Sequence, residues 1–257
     1  MFIATIPLLW RLLIFLLAGI AGGVSNGIAG GGTFITFPTL LAMGVPALQA
    51  NVSVTVGVVP SFFGGIRGFR RELATHRRLV ASLIPASVAG TAVGCLLLLS
   101  GAPSTFRVVV PWLIGAGTLL FTFAPWITRR LAHIDHAHPG RRRVLQLGVF
   151  AIAVYGGYFG AGLGILLLAI LAVTLPYELN DLQGLRIALS MVISLSAALI
   201  FVIRGHLALD AVYMLLVGTL IGGWLGTILI RRLPPMVVRL LVIGTGAFTT
   251  IRLFTTK

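Results

Sequence analysis

Gly27-Ile28-Ala29-Gly30-Gly31-Gly32 interrupts a long apolar run near the start of the chain, and Gly160-Ala161-Gly162-Leu163-Gly164 interrupts another past its midpoint. In water such a cluster is a loop. Within a lipid bilayer it is costly, because backbone N–H and C=O groups released from a helix need partners there. Breaks of this kind are tolerated only where protein buries them or where they line a wet cavity. The reading of the fold therefore depends on whether the surrounding runs belong in a membrane.

Composition puts them there. Of 257 residues, 58% are hydrophobic and 9% charged, against about 25% charged in a soluble domain. The mean hydropathy is +1.08. Basic residues dominate the few charges, with 19 Lys+Arg against 5 Asp+Glu. In a soluble chain that excess points to nucleic acid. Here the arginines cluster in short stretches between apolar runs, as the positive-inside rule expects, so no nucleic-acid partner is expected. The one cysteine, Cys95, lies inside an apolar run. It allows no disulfide within the chain and reads as a small packed hydrophobe. The N-terminal run, with Arg11 late in it, reads as a retained first helix rather than a cleaved leader.

A spanning helix needs about 20 apolar residues. Ten apolar segments are expected, at 7–26, 31–44, 46–66, 79–99, 106–126, 144–159, 163–175, 183–203, 207–230 and 235–254. Those beside the glycine clusters are short. Each half has the same order: a glycine-broken pair, a polar turn (Gly44-Val45-Pro46 or Pro176-Tyr177-Glu178), a third segment closing in Ile66-Arg67-Gly68 or Ile203-Arg204-Gly205, then two plain helices. This pattern implies an internal duplication offset by about 132–137 residues. Residues 1–128 form the first repeat, 129–143 a basic linker and 144–257 the second repeat.

The arginines set the sidedness. Arg67, Arg70, Arg71, Arg77 and Arg78 precede the fourth segment; Arg129, Arg130, Arg141, Arg142 and Arg143 lie in the linker; Arg231 and Arg232 follow the ninth segment. All three stretches are expected in the cytoplasm. An odd number of segments per half then inverts the second copy and leaves both termini outside. The expected fold class is all-α: a polytopic membrane protein of two inverted-topology repeats, about five segments each, with glycine-broken or re-entrant helices at the start of each repeat. Paired broken segments of this type are the sequence pointer to a transporter's binding site.

Candidate residues follow from what a break offers. A helix that restarts presents N–H groups and a positive dipole end, which suit an anion. Gly30, Gly31, Gly32, Gly160, Gly162 and Gly164 are the expected cradle, with Asn26 and Thr33 beside the first break. Asn51 and Thr55 are four residues apart on the third segment, and Ser190 and Ser194 match them on the eighth. Helix-to-helix glue is the alternative role for such polar groups. Arg186 sits about one turn inside the eighth segment, where it contacts substrate, snorkels, or pairs with Glu178 or Asp181. No carboxylate lies mid-span, no HExxH or GxSxG occurs, and no Walker motif occurs. An enzyme, an ATP-driven pump and a deep carboxylate cation site are all disfavoured. His133, Asp135, His136 and His138 in the linker lack helical spacing; they read as a solvated connector rather than a metal site, and no cofactor or metal is expected. The linker arginines face anionic lipid headgroups.

Ser25-Asn26-Gly27-Ile28-Ala29-Gly30-Gly31-Gly32, followed by Pro38, Gly44-Val45-Pro46 and Ala50, resembles the first repeat of the TauE/SafE family of sulfite-exporter-like anion permeases. Gly156-Gly157-Tyr158-Phe159-Gly160-Ala161-Gly162-Leu163-Gly164 is similar to its second repeat. The resemblance covers essentially the whole chain. It implies secondary transport, in the export direction, of sulfite, sulfoacetate or related organosulfonates across the inner membrane. The residues alone leave open a permease for a carboxylate or a metal cation, or a membrane scaffold that transports nothing. They also leave open the oligomeric state, with a homodimer as one option.

Overall fold

The computed structural model describes residues 7–28, 30–131, 141–229 and 235–255. Twelve helices occur among them: α1 (Leu8–Ile28), α2 (Thr33–Ala42), α3 (Ala47–Gly57), α4 (Ser61–Gly68), α5 (Arg70–Thr75), α6 (Arg77–Ser100), α7 (Pro103–Leu131), α8 (Arg141–Tyr158), α9 (Leu163–Thr174), α10 (Leu179–Arg204), α11 (Leu209–Leu229) and α12 (Pro235–Thr255). No strand occurs among the described residues. Among the described residues five runs are long and apolar enough to cross a membrane: Leu8–Ile28, Ala47–Gly68, Arg77–Ser100, Leu179–Arg204 and Leu209–Gly226. The chain is a multi-pass, all-helical membrane protein. α2, with 10 residues, rises about 15 Å, half of a bilayer core about 30 Å thick.

The helices match the expected segments with two additions. The third segment is not one helix. Pro60 has no N–H to give to the carbonyl four residues back, so α3 ends at Gly57 and α4 starts at Ser61. The arginine-rich stretch after it forms the short α5. The linker histidines and Asp135 fall in 132–140, and Arg231 and Arg232 in 230–234, outside the described residues.

Packing is organised by small residues. In lipid no hydrophobic force draws helices together, so close van der Waals contact must do so, and glycine permits it. α1 and α11 run side by side with Gly19, Gly23 and Gly27 facing Gly218, Gly222 and Gly226. A Cβ built on Gly23 would stand 2.6 Å from the Thr219 carbonyl oxygen, and one on Gly222 2.1 Å from that of Ile20. α6 and α8 repeat the arrangement: a Cβ on Gly94 would meet the Val154 carbonyl oxygen at 2.0 Å, and one on Gly157 that of Thr91 at 2.3 Å. Cys95 is buried in this seam, its thiol 3.5 Å from the Gly157 carbonyl oxygen.

The remaining contacts follow a regular scheme. α2 packs on α12 and α9 packs on α7, while α7 and α12 touch each other. α10 runs through the centre against α3, α4, α6 and α9. At one end of the molecule Arg11 pairs with Asp210 at 3.1 Å and lies over the Phe15 ring. At the other end the first turns of α6 and α8 gather beside the end of α9, where Arg141 Nε donates to the Thr174 carbonyl. All four tryptophans (Trp10, Trp112, Trp126 and Trp224) face outward, as a lipid-covered surface allows.

A large side chain in the α1–α11 seam must displace backbone, and overpacking costs about 1–3 kcal/mol or more. Gly23→Leu is expected to lower the thermal midpoint of the purified protein by several degrees. Gly244→Ala, whose added carbon would meet nothing within 4 Å, is expected to leave it unchanged. Differential scanning fluorimetry of the two variants reads the contrast.

Candidate functional site

α1 and α8 end in the same way. Gly30 has φ +76° and Gly160 φ +74°, in the left-handed region that glycine occupies without penalty. The Gly30 N–H donates back to the carbonyls of Ser25 and Asn26 at 3.1 and 3.2 Å, and the Gly160 N–H to that of Tyr155 at 3.2 Å. Each thus closes its helix with a bond to the residue five back, a helix-terminating geometry. Both chains then restart at once, as α2 and α9. The two glycines lie 130 positions apart, just under the offset expected from the sequence.

Side chains hold the freed backbone groups. Asn26 Oδ1 accepts from the Gly32 N–H at 2.8 Å, and Asn26 Nδ2 donates to Ser61 Oγ at 3.1 Å. Ser61 in turn donates to the Val58 carbonyl at 2.5 Å, inside the Pro60 break. On the other side the Tyr155 hydroxyl donates to the Ala161 carbonyl at 2.6 Å. Asn51 Nδ2 donates to the Tyr158 carbonyl at 3.0 Å. The first glycine break is thus tied to the Pro60 break through Asn26 and Ser61, and the second to α3 through Asn51.

The two glycine clusters meet. A Cβ on Gly30 would lie 2.9 Å from Gly164 Cα and 2.7 Å from Arg186 Nη1; one on Gly164 would lie 3.0 Å from Gly30 Cα and 2.8 Å from the same nitrogen. Only residues without side chains permit the guanidinium to sit between them. Arg186 is 3% exposed. Its Nε and Nη2 are buried with no hydrogen-bond partner, and it makes no ion pair among the described residues. Glu178 is exposed, and Asp181 is paired instead with His76 at 3.3 Å. The guanidinium thus neither reaches the surface nor pairs with Glu178 or Asp181.

A small cavity of about 20 Å³ adjoins this point, lined by Asn26, Gly30, Thr33, Gly160, Leu163, Gly164, Ser190, Ser194, Val58 and Phe62. That is room for about one water. Among the described residues the hydroxyls of Thr33, Ser190 and Ser194 make no hydrogen bond, whereas Asn26 is held at both ends of its amide. Gln183, Arg186, Ser190 and Ser194 recur at helical spacing along one face of α10, and the Gln183 Oε1 is also buried without a partner.

Seven of the twelve expected site residues are brought together here: Asn26, Gly30, Thr33, Gly160, Gly164, Arg186 and Ser190. Gly32 and Gly162 stand one step back, the first held by Asn26 and the second left-handed against the Phe34 ring. Gly31 connects Gly30 to Gly32 without lining the cavity. Asn51 and Thr55 do not line it either. Asn51 supports the end of α8, and the Thr55 hydroxyl donates to the Asn51 carbonyl at 2.9 Å within its own helix. Val58, Phe62 and Leu163 are lining residues that sequence reasoning missed. Pro60 was the signal for the first two, since it breaks the third segment at the level of the cavity.

A family model described as Sulfite exporter TauE/SafE matches residues 15–253. The chain belongs to this family. It is also 24% identical over 235 residues to a "Probable membrane transporter protein" of Haemophilus influenzae, spanning 90% of each chain. It is 30% identical over 161 residues to "Probable membrane transporter protein ORF9" of a Sinorhizobium species, which covers 61% of this chain and 59% of that relative. Family and relatives alike are named as membrane transporters, not enzymes.

In this TauE/SafE chain, Asn26→Ala leaves the Gly32 N–H without its acceptor, at a cost of about 1–3 kcal/mol. The variant is expected to melt several degrees below wild type and to lose most of its transport. Thr55→Val removes only a bond internal to α3 and is expected to transport within twofold of wild type. Parallel fluorimetry and vesicle flux measurements check both.

Proposed function

We propose that the protein is a secondary transporter of small sulfur oxyanions, sulfite or organosulfonates such as sulfoacetate, across the inner membrane, and that the anion binds at Arg186 between the two glycine breaks. The observation that carries this reading is the buried guanidinium with two unmade donor positions. Leaving a buried charge without its partner costs on the order of 3–5 kcal/mol. An oxyanion relieves that cost, because a guanidinium offers paired N–H donors matched to two oxygens. Thr33, Ser190 and Ser194 supply neutral hydroxyls for the remaining oxygens. A cation would meet repulsion at the same point, which disfavours the metal-ion alternative.

The packing scheme supports two inverted repeats, with boundaries near 1–128 and 144–257. Exchanging α1 with α8, α2 with α9, α3–α4 with α10, α6 with α11 and α7 with α12 turns each main contact into another observed one: α1–α11 into α8–α6, and α2–α12 into α9–α7. Under that exchange the two short helices enter from opposite faces of the bilayer and present their starts to a common point. Alternating access is then a rocking of one repeat against the other about Arg186.

The cavity has room for about one water, so this conformation is closed around the site. Loading an oxyanion separates Gly30 from Gly164. On the arginine-rich side the α10 stripe from Gln183 to Ser194 leads toward the site. Its outer end is covered by α5, whose Leu73 packs with Phe69 and Glu72 around Gly184. The α5–α6 junction is held to α10 by the His76–Asp181 pair.

Counterflow in proteoliposomes tests the substrate class. Vesicles preloaded with sulfite or sulfoacetate are expected to accumulate the labelled anion transiently. Preloading with a dicarboxylate or a divalent cation is expected to drive none. Counterflow of carboxylates alone would reassign the substrate. Absence of counterflow with every solute, from protein that melts normally, would favour the scaffold reading.

A further inference from the structure

A second basic site lies away from Arg186, and no residue of it takes part in the transport reading above. The first turns of α6 and α8 and the end of α9 enclose a pocket of about 360 Å³ lined by Arg78, Ser82, Arg141, Arg142, Thr174 and three leucines, Leu79, Leu145 and Leu175. No carboxylate lines it among the described residues. Arg141 is anchored through its Nε to the Thr174 carbonyl. Arg78 and Arg142 make no ion pair or hydrogen bond with any described group. Two unpaired guanidinium groups beside a third repel one another, and an anion between them reverses the sign of that interaction.

The chemistry of the walls narrows the anion. Arginine pairs bind phosphate through parallel N–H donors. The leucines give the pocket an apolar floor, and Val144 and Leu147, just beyond it on α8, are exposed to the lipid side. The pocket stands where two membrane helices begin, at the depth of headgroups rather than of acyl chains. It lies on the face that the arginine distribution places in the cytoplasm, whose leaflet carries a negative surface potential. We infer that this pocket binds the phosphate of an anionic phospholipid headgroup of the cytoplasmic leaflet, with Arg78 and Arg142 as its ligands and the leucines against the glycerol and upper acyl carbons. Such a lipid clasps α6 to α8 and α9, joining elements from both halves of the chain.

The test uses the full-length protein in neutral detergent, with phosphatidylglycerol, phosphatidylcholine or inorganic phosphate as probe. Arg78 and Arg142 are exposed, so Arg78→Gln/Arg142→Gln is expected to fold. Arg70→Gln/Arg71→Gln removes the same charge from the same face outside the pocket. Phosphatidylglycerol is expected to raise the melting temperature of wild type and of Arg70→Gln/Arg71→Gln by several degrees, and that of Arg78→Gln/Arg142→Gln by less than half as much. Native mass spectrometry is expected to show at least one fewer retained phosphatidylglycerol on the pocket variant. Equal stabilisation of the two double variants, or equal stabilisation by phosphatidylcholine, would overturn the proposal. A full-sized shift from inorganic phosphate alone would make this a soluble-anion site and overturn the lipid assignment. None of these outcomes depends on which anion the protein carries.

Discussion

A guanidinium buried in a membrane protein without a carboxylate is the constraint that explains the rest of this molecule. Arg186 sits about two turns into α10, between Gly30 and Gly164, where a single added carbon on either glycine would collide with it. The glycine clusters are therefore not loose joints. They are the only backbone that lets two helix breaks close on a charged side chain. The breaks in turn expose polar backbone, and Asn26, Ser61, Tyr155 and Asn51 satisfy part of it with bonds of 2.5–3.0 Å. The Nε and Nη2 of Arg186 stay without a hydrogen-bond partner among the described residues.

Rigidity around that point comes from the two glycine seams. α1 against α11, and α6 against α8, bring backbone to backbone without a hydrophobic driving force, and each seam carries one broken helix to the site. This divides labour within the clusters. Gly27 and Gly157 serve packing, as small residues do throughout membrane proteins. Gly30 and Gly160 end their helices, and Gly164 makes room for the guanidinium. Packing, helix ending and room for the guanidinium thus fall to neighbouring residues of one motif.

Much of this was legible in the sequence. Hydropathy located the helices, and the paired glycine runs marked where two of them end against each other. The i, i+4 spacing of Asn51 and Thr55 shows only that two residues share a helix face, not what that face meets. The acceptor of the Asn51 Nδ2, the Tyr158 carbonyl, is 107 positions away and belongs to a helix end no local pattern reveals. The break at Pro60 was present in the sequence but hidden by the apolar run on both sides of it. For Arg186 the sequence left three roles, and only the pairing of Asp181 with His76 and the burial of the guanidinium narrow them. Burial of a charge is a tertiary property, set by α1, α9 and α10 together.

The most direct test is ligand binding and stability measured together in Arg186→Leu. An anion that compensates a buried charge stabilises only a protein that has the charge. Wild type is expected to gain several degrees of melting temperature on saturation with sulfite or sulfoacetate. Arg186→Leu is expected to melt at or above unliganded wild type and to gain nothing from either anion. An Arg186→Leu protein that is still stabilised by the anion as wild type is, or that melts well below unliganded wild type, would contradict the central role assigned to this side chain.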